Sequence, residues 1–431
     1  MHPSITGQYL NRYQRLALSD EGAGLLPVTG AQRRFVLVRA MDPSGRPDTV
    51  PMFFAFPRGT VDTARLRAAA QSLAARHPAL RSRTFVYRGT PVLRPAEPHV
   101  PVEQVSRAPG ENAHDALRRA VGAWSHDGPP LRLFLAQGDQ DAAGAAEEVL
   151  AVVLDHAACD GQSLARIVEE LGDAYRDRLG PADVSTADVA TGLADYREAV
   201  LLQLEAERRA GSPDALAYWG DRLRTVQERA PKPDNSGRTP TGAAELRIPA
   251  DRSGVPFASL LAACRAAAEV LYGTGQVPPI GYPWGGRPAG AAPVLGCFLN
   301  TVVFPAATDP VRPAPDLTAT QWWDDLDRAD TPFDEVVHAA RAAGSRWSGA
   351  LDGLLTVDDA RRRPALRLGG TTGREVHVDG RQIRAPFAVS VVQGPELSLR
   401  MVWDRTVLDD DTAQDAFAAL CGELRTGLPV G

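Results

Sequence analysis

The chain has 431 residues, of which 44% are hydrophobic and 23% charged, and a formal net charge of -6 at pH 7. That length supports two or three domains, or one large two-lobed unit, and the acidic balance argues against nucleic acid as the main partner, because phosphate recognition needs a basic surface. Cys159, Cys264, Cys297 and Cys421 form no C-x-x-C pair, no apolar run reaches the length of a membrane span, and Met1 to Arg12 lacks the apolar core of a signal peptide; the expectation is a cytoplasmic protein with reduced thiols and no metal.

In chain order, Arg34 to Arg39 and Met52 to Phe56 read as strands. Thr63 to His77 reads as a helix with Leu66, Ala70 and Leu73 on one face and Asp62 as its N-cap. Ser82 to Tyr87 and Pro130 to Ala136 are strand-like, and Val149 to Leu154 is a continuous apolar run of the buried-strand kind. A helix with Leu164, Ile167, Val168, Leu171 and Tyr175 at helical spacing follows, with Ser163 placed to cap it. Further helices are expected from Ala194 to Glu207 and from Asp214 to Leu223. The segment Ala230 to Gly242 reads as a loop or linker. The second half alternates again: a helix at Phe257 to Tyr272, strands at Val277 to Tyr282 and Gly296 to Pro305 around a Gly/Pro loop, a helix at Pro332 to Ala343, a strand at Leu397 to Asp404 and a closing helix at Asp410 to Leu424. The pattern predicts two α/β halves of similar size, and a cleft between two such lobes is a common substrate site.

Between the buried strand and its helix lies Asp155-His156-Ala157-Ala158-Cys159-Asp160-Gly161-Gln162-Ser163. Loops in that position commonly carry function. A histidine titrates near working pH, so His156 is suited to take or steer a proton. Asp160 is placed to hold the loop by pairing with a cation or backbone N–H groups, and Gly161 permits a tight turn and close backbone approach. Asp155, next to His156 on an extended strand, is expected to point the other way, toward packing or a backbone donor.

The segment from Asp155 to Gly161 resembles the H-H-x-x-x-D-G motif of the condensation domains of nonribosomal peptide synthetases, in the chloramphenicol acetyltransferase-like superfamily. Other landmarks occur in family order. Leu26 to Arg33 resembles L-P-x-T-x-A-Q, and Arg76 to Phe85 resembles R-H-x-x-L-R-T-x-F with one residue inserted. Leu193 to Tyr196 with Tyr218, Trp219 and Leu223 resembles the bridging segment, and Gly285 to Pro288 the G-R loop. Gly296 to Thr301 resembles G-x-F-x-N-T, and Thr331 to Val337 resembles P-F-E-x-V. Three departures stand out: Asp155 replaces the first histidine, Ala388 stands where the family often has the aspartate of P-F-D-L-S, and Ser345 to Gly349 is a loose match to the late S-R segment.

The resemblance implies two chloramphenicol acetyltransferase-like lobes in a V arrangement with a tunnel between them, residues 1–185 carrying the His156 motif and 186–431 forming the second lobe. It implies His156 as the catalytic residue, with Asp160, Gly161 and Arg287 structural at the site and Asp160 paired to Arg287 across the lobes. Asp155, Ser163, Trp284 and Asn300 are the candidate lining residues, Asn300 alternatively ordering its loop. The implied reaction joins a carrier-protein thioester, on a phosphopantetheine arm, to an amine or hydroxyl acceptor that is a small molecule or is itself carrier-bound. No adenylation signature or carrier serine motif is apparent, so the acyl or peptidyl carrier protein is expected to act in trans, with no cofactor bound by the chain itself. Arg33 and Arg34 are read as a solvated helix face, or as contacts to an acidic carrier. Three alternatives stay open: heterocyclisation, since Asp155, Asp160 and Ser163 match D-x-x-x-x-D-x-x-S; a coenzyme A-dependent acyltransferase, although D-F-G-W-G is missing; and an inactive condensation-like domain that recruits a partner enzyme.

Overall fold

A computed structural model describes residues 4–41, 48–140, 144, 146–227, 239–249, 254–307 and 315–427. The chain forms two compact units. The first comprises 1–206, 286–299 and 363–379, and the second 207–285, 300–362 and 380–431. A single cut at 185/186 does not describe this division, because two later segments return to the first unit.

The first unit runs α1 (Ile5–Ala17), α2 (Gly30–Met41), β1 (Thr49–Pro57), α3 (Thr63–Arg76), α4 (Pro78–Arg81), β2 (Ser82–Tyr87), β3 (Thr90–Pro95), β4 (Val102–Val105), α5 (Ala113–Gly122), β5 (Leu131–Gln140), β6 (Ala146–Asp155), a 3-10 turn (His156–Ala158) and α6 (Gly161–Asp177). β1, β6 and β5 are successive antiparallel neighbours, and β4 joins β5 in parallel. β6 is buried on both faces. Leu150, Val152 and Leu154 pack into one apolar cluster, and Val149, Ala151 and Val153 into a second. This is why the segment reads as an unbroken apolar run, with alternate side chains leaving opposite faces.

Arg34 to Arg39, strand-like by residue type, is not a strand but the body of α2. The helix is started by a reciprocal cap: the Thr29 hydroxyl accepts from Gln32 N–H at 3.2 Å, and the Gln32 side-chain oxygen accepts from Thr29 N–H at 3.0 Å. That capping box, T-x-x-Q, outweighs the strand preference of Val36 and Val38. Nor is Arg33 on a solvated face. It is buried, with its guanidinium 5.4 Å from the centre of the Tyr9 ring. Asp62 does cap α3, accepting from Ala64 and Arg65 N–H.

α7 (Thr186–Ala210) begins earlier than its apolar pattern suggests. The second unit contains α8 (Pro213–Arg222), β7 (Thr241–Pro249), α9 (Phe257–Tyr272), β8 (Pro279–Gly285), β9 (Leu299–Pro305), α10 (Pro315–Leu326), α11 (Phe333–Ala342) and β10 (Gly353–Asp359). The short strands β11 (Arg367–Leu368), β12 (Thr371–Thr372) and β13 (Arg374–Glu375) belong to the first unit, where β13 pairs with β1. β14 (Phe387–Gln393), β15 (Glu396–Asp404) and α12 (Asp410–Gly427) complete the second. Its six-stranded sheet has the order β7-β15-β14-β10-β8-β9, parallel where β10 meets β14 and β8. Of the loop expected at Ala230 to Gly242, residues 230–238 lie outside the described residues, and Thr241 and Gly242 open β7. Among the described residues no helix is long and apolar enough to cross a membrane.

Candidate functional site

β6 ends at Asp155, and the chain turns at once into the 3-10 segment headed by His156. His156 N–H donates to the Asp48 carbonyl at 2.9 Å. Its half-buried ring lies against Phe35, ring centres 4.8 Å apart, and its Nδ1 is buried with no hydrogen-bond partner among the described residues.

Asp155 does not share this setting. It is buried, and its Oδ1 accepts from Ala157 N–H at 2.8 Å, capping the turn from inside. The Arg39 guanidinium grips both carboxylate oxygens, at 2.7 and 2.6 Å, and His126 Nδ1 lies 3.4 Å from Oδ2. Burial alone would push this carboxyl up. The hydrogen bond from His126 and the charge and hydrogen bonds of Arg39 outweigh it, and the pKa is lowered.

Asp160 is the N-cap of α6. Its Oδ1 accepts from the N–H and hydroxyl of Ser163, both at 2.9 Å. Its Oδ2 takes Arg287 NH1 at 2.6 Å and Phe298 N–H at 3.0 Å. Arg287 spends its remaining donors on Val294 O, Gly296 O and the Ser163 hydroxyl, and stacks 4.6 Å from the centre of the Phe298 ring. The expected Asp160–Arg287 pair is therefore formed. It lies inside the first unit, not across the lobes, because Arg287 belongs to the returning segment 286–299. With the carboxylate buried, the guanidinium largely so and also donating to Gln162 Oε1 at 3.3 Å, the pair meets the condition under which a buried ion pair is tolerated.

Several assignments change with this geometry. The cap of α6 is Asp160, not Ser163, because Ser163 lies three residues inside the helix with its hydroxyl joined to Asp160, Arg287 and Gly296. Asp155 and Ser163 are both buried and held in these networks. Gly161 is an ordinary first helical residue without positive φ, and a Cβ there would meet nothing within 4 Å. The glycine the turn needs is Gly296, at φ 151°, where a Cβ would fall 2.9 Å from the Phe298 ring. In the second unit, Trp284 donates its indole N–H to Asp330 at 3.0 Å. Asn300 commits its whole amide to backbone: it donates to Ala329 O and Thr331 O and accepts from Phe333 N–H at the start of α11. It orders its loop.

Two features escaped sequence reasoning. Gln32 donates to Ala157 O at 2.7 Å and, with Phe35 and Arg39, braces the motif from α2. The T-x-x-Q cap was the available signal. The second is a cleft of about 390 Å³ whose lining includes Arg76, His77, Arg166, Glu170 and Asp195. There His77 Nε2 lies 2.7 Å from Glu170, which also pairs with Arg166. Burial raises the Glu170 carboxyl, but the hydrogen bond and charge of His77 and the Arg166 pairing prevail and bring it from 4.5 down to about 2. A depressed carboxyl stabilises the fold above its unfolded pKa, and that contribution is lost as pH falls through the folded value. Stability is therefore expected to fall from about pH 4.5 toward pH 2. Glu170→Gln should flatten that limb of a pH-dependent urea titration, and an unchanged limb would contradict the assignment. Elsewhere, burial pushes the Cys159 and Cys297 thiols up, so neither cysteine beside the motif is an activated nucleophile.

No protein-family model matches the chain. In sequence it is 29% identical, over 66% of its length, to the nonribosomal peptide synthetase CymA of Salinispora arenicola, and 27% identical, over 74%, to a dimodular nonribosomal peptide synthase of Bacillus subtilis. It spans only 4% and 14% of those two proteins. Among solved structures it resembles the X-domain in a complex of the X-domain and OxyB from teicoplanin biosynthesis (TM-score 0.66, 19% identity, 93% of each chain). It also resembles the first condensation domain of the CDA synthetase (TM-score 0.65, 17% identity, 93% of this chain and 95% of that one). The fold is thus mixed α/β of the chloramphenicol acetyltransferase-like class. These sequence relatives are nonribosomal peptide synthetases, and the solved structures that share the fold include a condensation domain of one such synthetase.

Proposed function

We propose that this domain joins an acyl thioester, held on the phosphopantetheine arm of a carrier protein, to an amine or hydroxyl acceptor. The acceptor heteroatom attacks the thioester carbon, the tetrahedral intermediate collapses, and the thiol leaves with the proton that the acceptor gives up. His156 takes or steers that proton and supports the developing oxyanion, while the domain holds the reactants in line. The observation that carries this reading is the contrast within one motif. Asp155, Asp160 and Ser163 are consumed by structural partners, whereas the buried Nδ1 of His156 has no hydrogen-bond partner among the described residues. The same contrast weighs against heterocyclisation through the two carboxylates.

The donor arm reaches His156 along a channel from the surface, and the carrier docks transiently through a modest patch. The test supplies one aminoacyl group on a carrier protein and on coenzyme A. Turnover of the carrier-bound form alone is expected. Equal or faster turnover of the coenzyme A form would overturn the carrier-dependent reading.

A second reading is a domain without turnover that recruits a partner enzyme. Two observations favour it: Asp155 in place of the first histidine, and likeness to an X-domain solved in complex with OxyB.

A further inference from the structure

We infer that one stripe of α2, formed by Gln32, Phe35 and Arg39, together with Asp155, is the positioning device that aims His156. The inference rests on the proposed role of His156, but it concerns how the ring is held.

Residues 32, 35 and 39 of a helix lie on one face, three and four residues apart. Each meets a different part of the same turn. Gln32 donates to the Ala157 carbonyl at 2.7 Å and also to the Tyr196 hydroxyl at 2.9 Å, which fixes its own amide. Phe35 stacks on the imidazole of His156. Arg39 forks onto the carboxylate of Asp155, whose Oδ1 caps the turn at Ala157 N–H. The turn is thus gripped at the residue before His156, at its ring and at the residue after it. The imidazole makes no hydrogen bond that orients it among the described residues, so the Phe35 face and the backbone on either side set its direction.

This accounts for the replacement of the first histidine. A planar guanidinium matches a carboxylate in two parallel bonds, which a neutral imidazole at position 155 does not offer. Arg39 and Asp155 are one device, and little of either side chain is exposed, 12% and 9%. His126 completes the carboxylate shell.

The test needs no substrate. In protein labelled at histidine, the ring carbon-bound proton of His156, assigned by its loss in His156→Gln, reports the ring current of Phe35. Phe35→Leu defines the signal without the stack. The neutral, near-isosteric double variant Arg39→Gln/Asp155→Asn avoids leaving one buried charge unpaired. It is expected to move the His156 signal toward the Phe35→Leu position. The signal of His77, held by Glu170 elsewhere in the same unit, should stay in place. A His156 signal unmoved in the double variant would overturn the inference. So would joint movement of His156 and His77, which would mark general loosening. Failure of the catalytic reading would show separately, as unchanged turnover in His156→Ala, and would leave these spectra as they are.

Discussion

His156→Ala is expected to lower turnover by about 10²- to 10⁴-fold, the range that a positioned acid–base group supplies, while leaving the fold intact. The structural cost should be small for a specific reason. No group among the described residues bonds to the imidazole, so truncation leaves no donor or acceptor stranded. The loss is the stack on Phe35, about 0.5–1.5 kcal/mol beyond area burial for such pairs. The backbone bond from His156 N–H to Asp48 and the Asp155 cap on Ala157 survive the change. Single-turnover assays with carrier-bound donor, alongside a thermal melt, separate the two effects. Wild-type turnover in this variant would remove the proposed role, and absence of turnover in both proteins across donors would favour the recruiting reading.

Asp160→Ala should act in the opposite proportion, as a stability lesion first. The carboxylate accepts from Arg287, from Phe298 N–H and from both donors of Ser163. Its removal deletes the cap of α6, worth about 1 kcal/mol, and leaves the Arg287 guanidinium buried without its counter-charge. Breaking a buried pair from one side typically costs about 3–5 kcal/mol. The Asp160 side chain is 0% exposed and that of Arg287 10%, so solvent offers little replacement for the missing partner. Thermal unfolding should begin roughly 10 °C lower. Asp160→Asn, which retains an acceptor for Ser163 N–H, should fall between. The double variant Asp160→Ala/Arg287→Met should be less unstable than the sum of its parts, because the stranded charge is gone. A melt of Asp160→Ala superposing on wild type would contradict this account.

The two lesions separate what the motif does. Asp160 belongs to a closed network that joins α6 to the returning segment 286–299, and Gly296 is part of the same knot through its N–H and carbonyl. His156 stands outside that network. A substitution at either position is informative only when stability and turnover are measured on the same sample.

Much of the first unit was legible in the residues themselves. The apolar run to Leu154 matches a strand buried on both faces, and the polar cluster after it marks where that strand ends and the chain turns into the next helix. The Asp62 cap and the helices at Thr63 and Phe257 follow from local patterns, which act over a few residues and do not wait for tertiary contacts. The pairing of Asp160 with Arg287 came from likeness to a family, not from spacing. What the tertiary structure alone decided concerns residues far apart in the chain. Arg39 meets Asp155 across 116 positions and Arg287 meets Asp160 across 127. No local propensity encodes either meeting. Arg34 to Arg39 reads as a strand by residue type, and the Thr29–Gln32 cap made it part of the helix whose one face carries Gln32, Phe35 and Arg39 to the motif. Ser163 looked like a cap because hydroxyls favour helix starts, yet Asp160 took that place once its second oxygen was held by Arg287 and Phe298 N–H. A buried carboxylate must satisfy all its lone pairs, and only the folded chain brings the donors that do so.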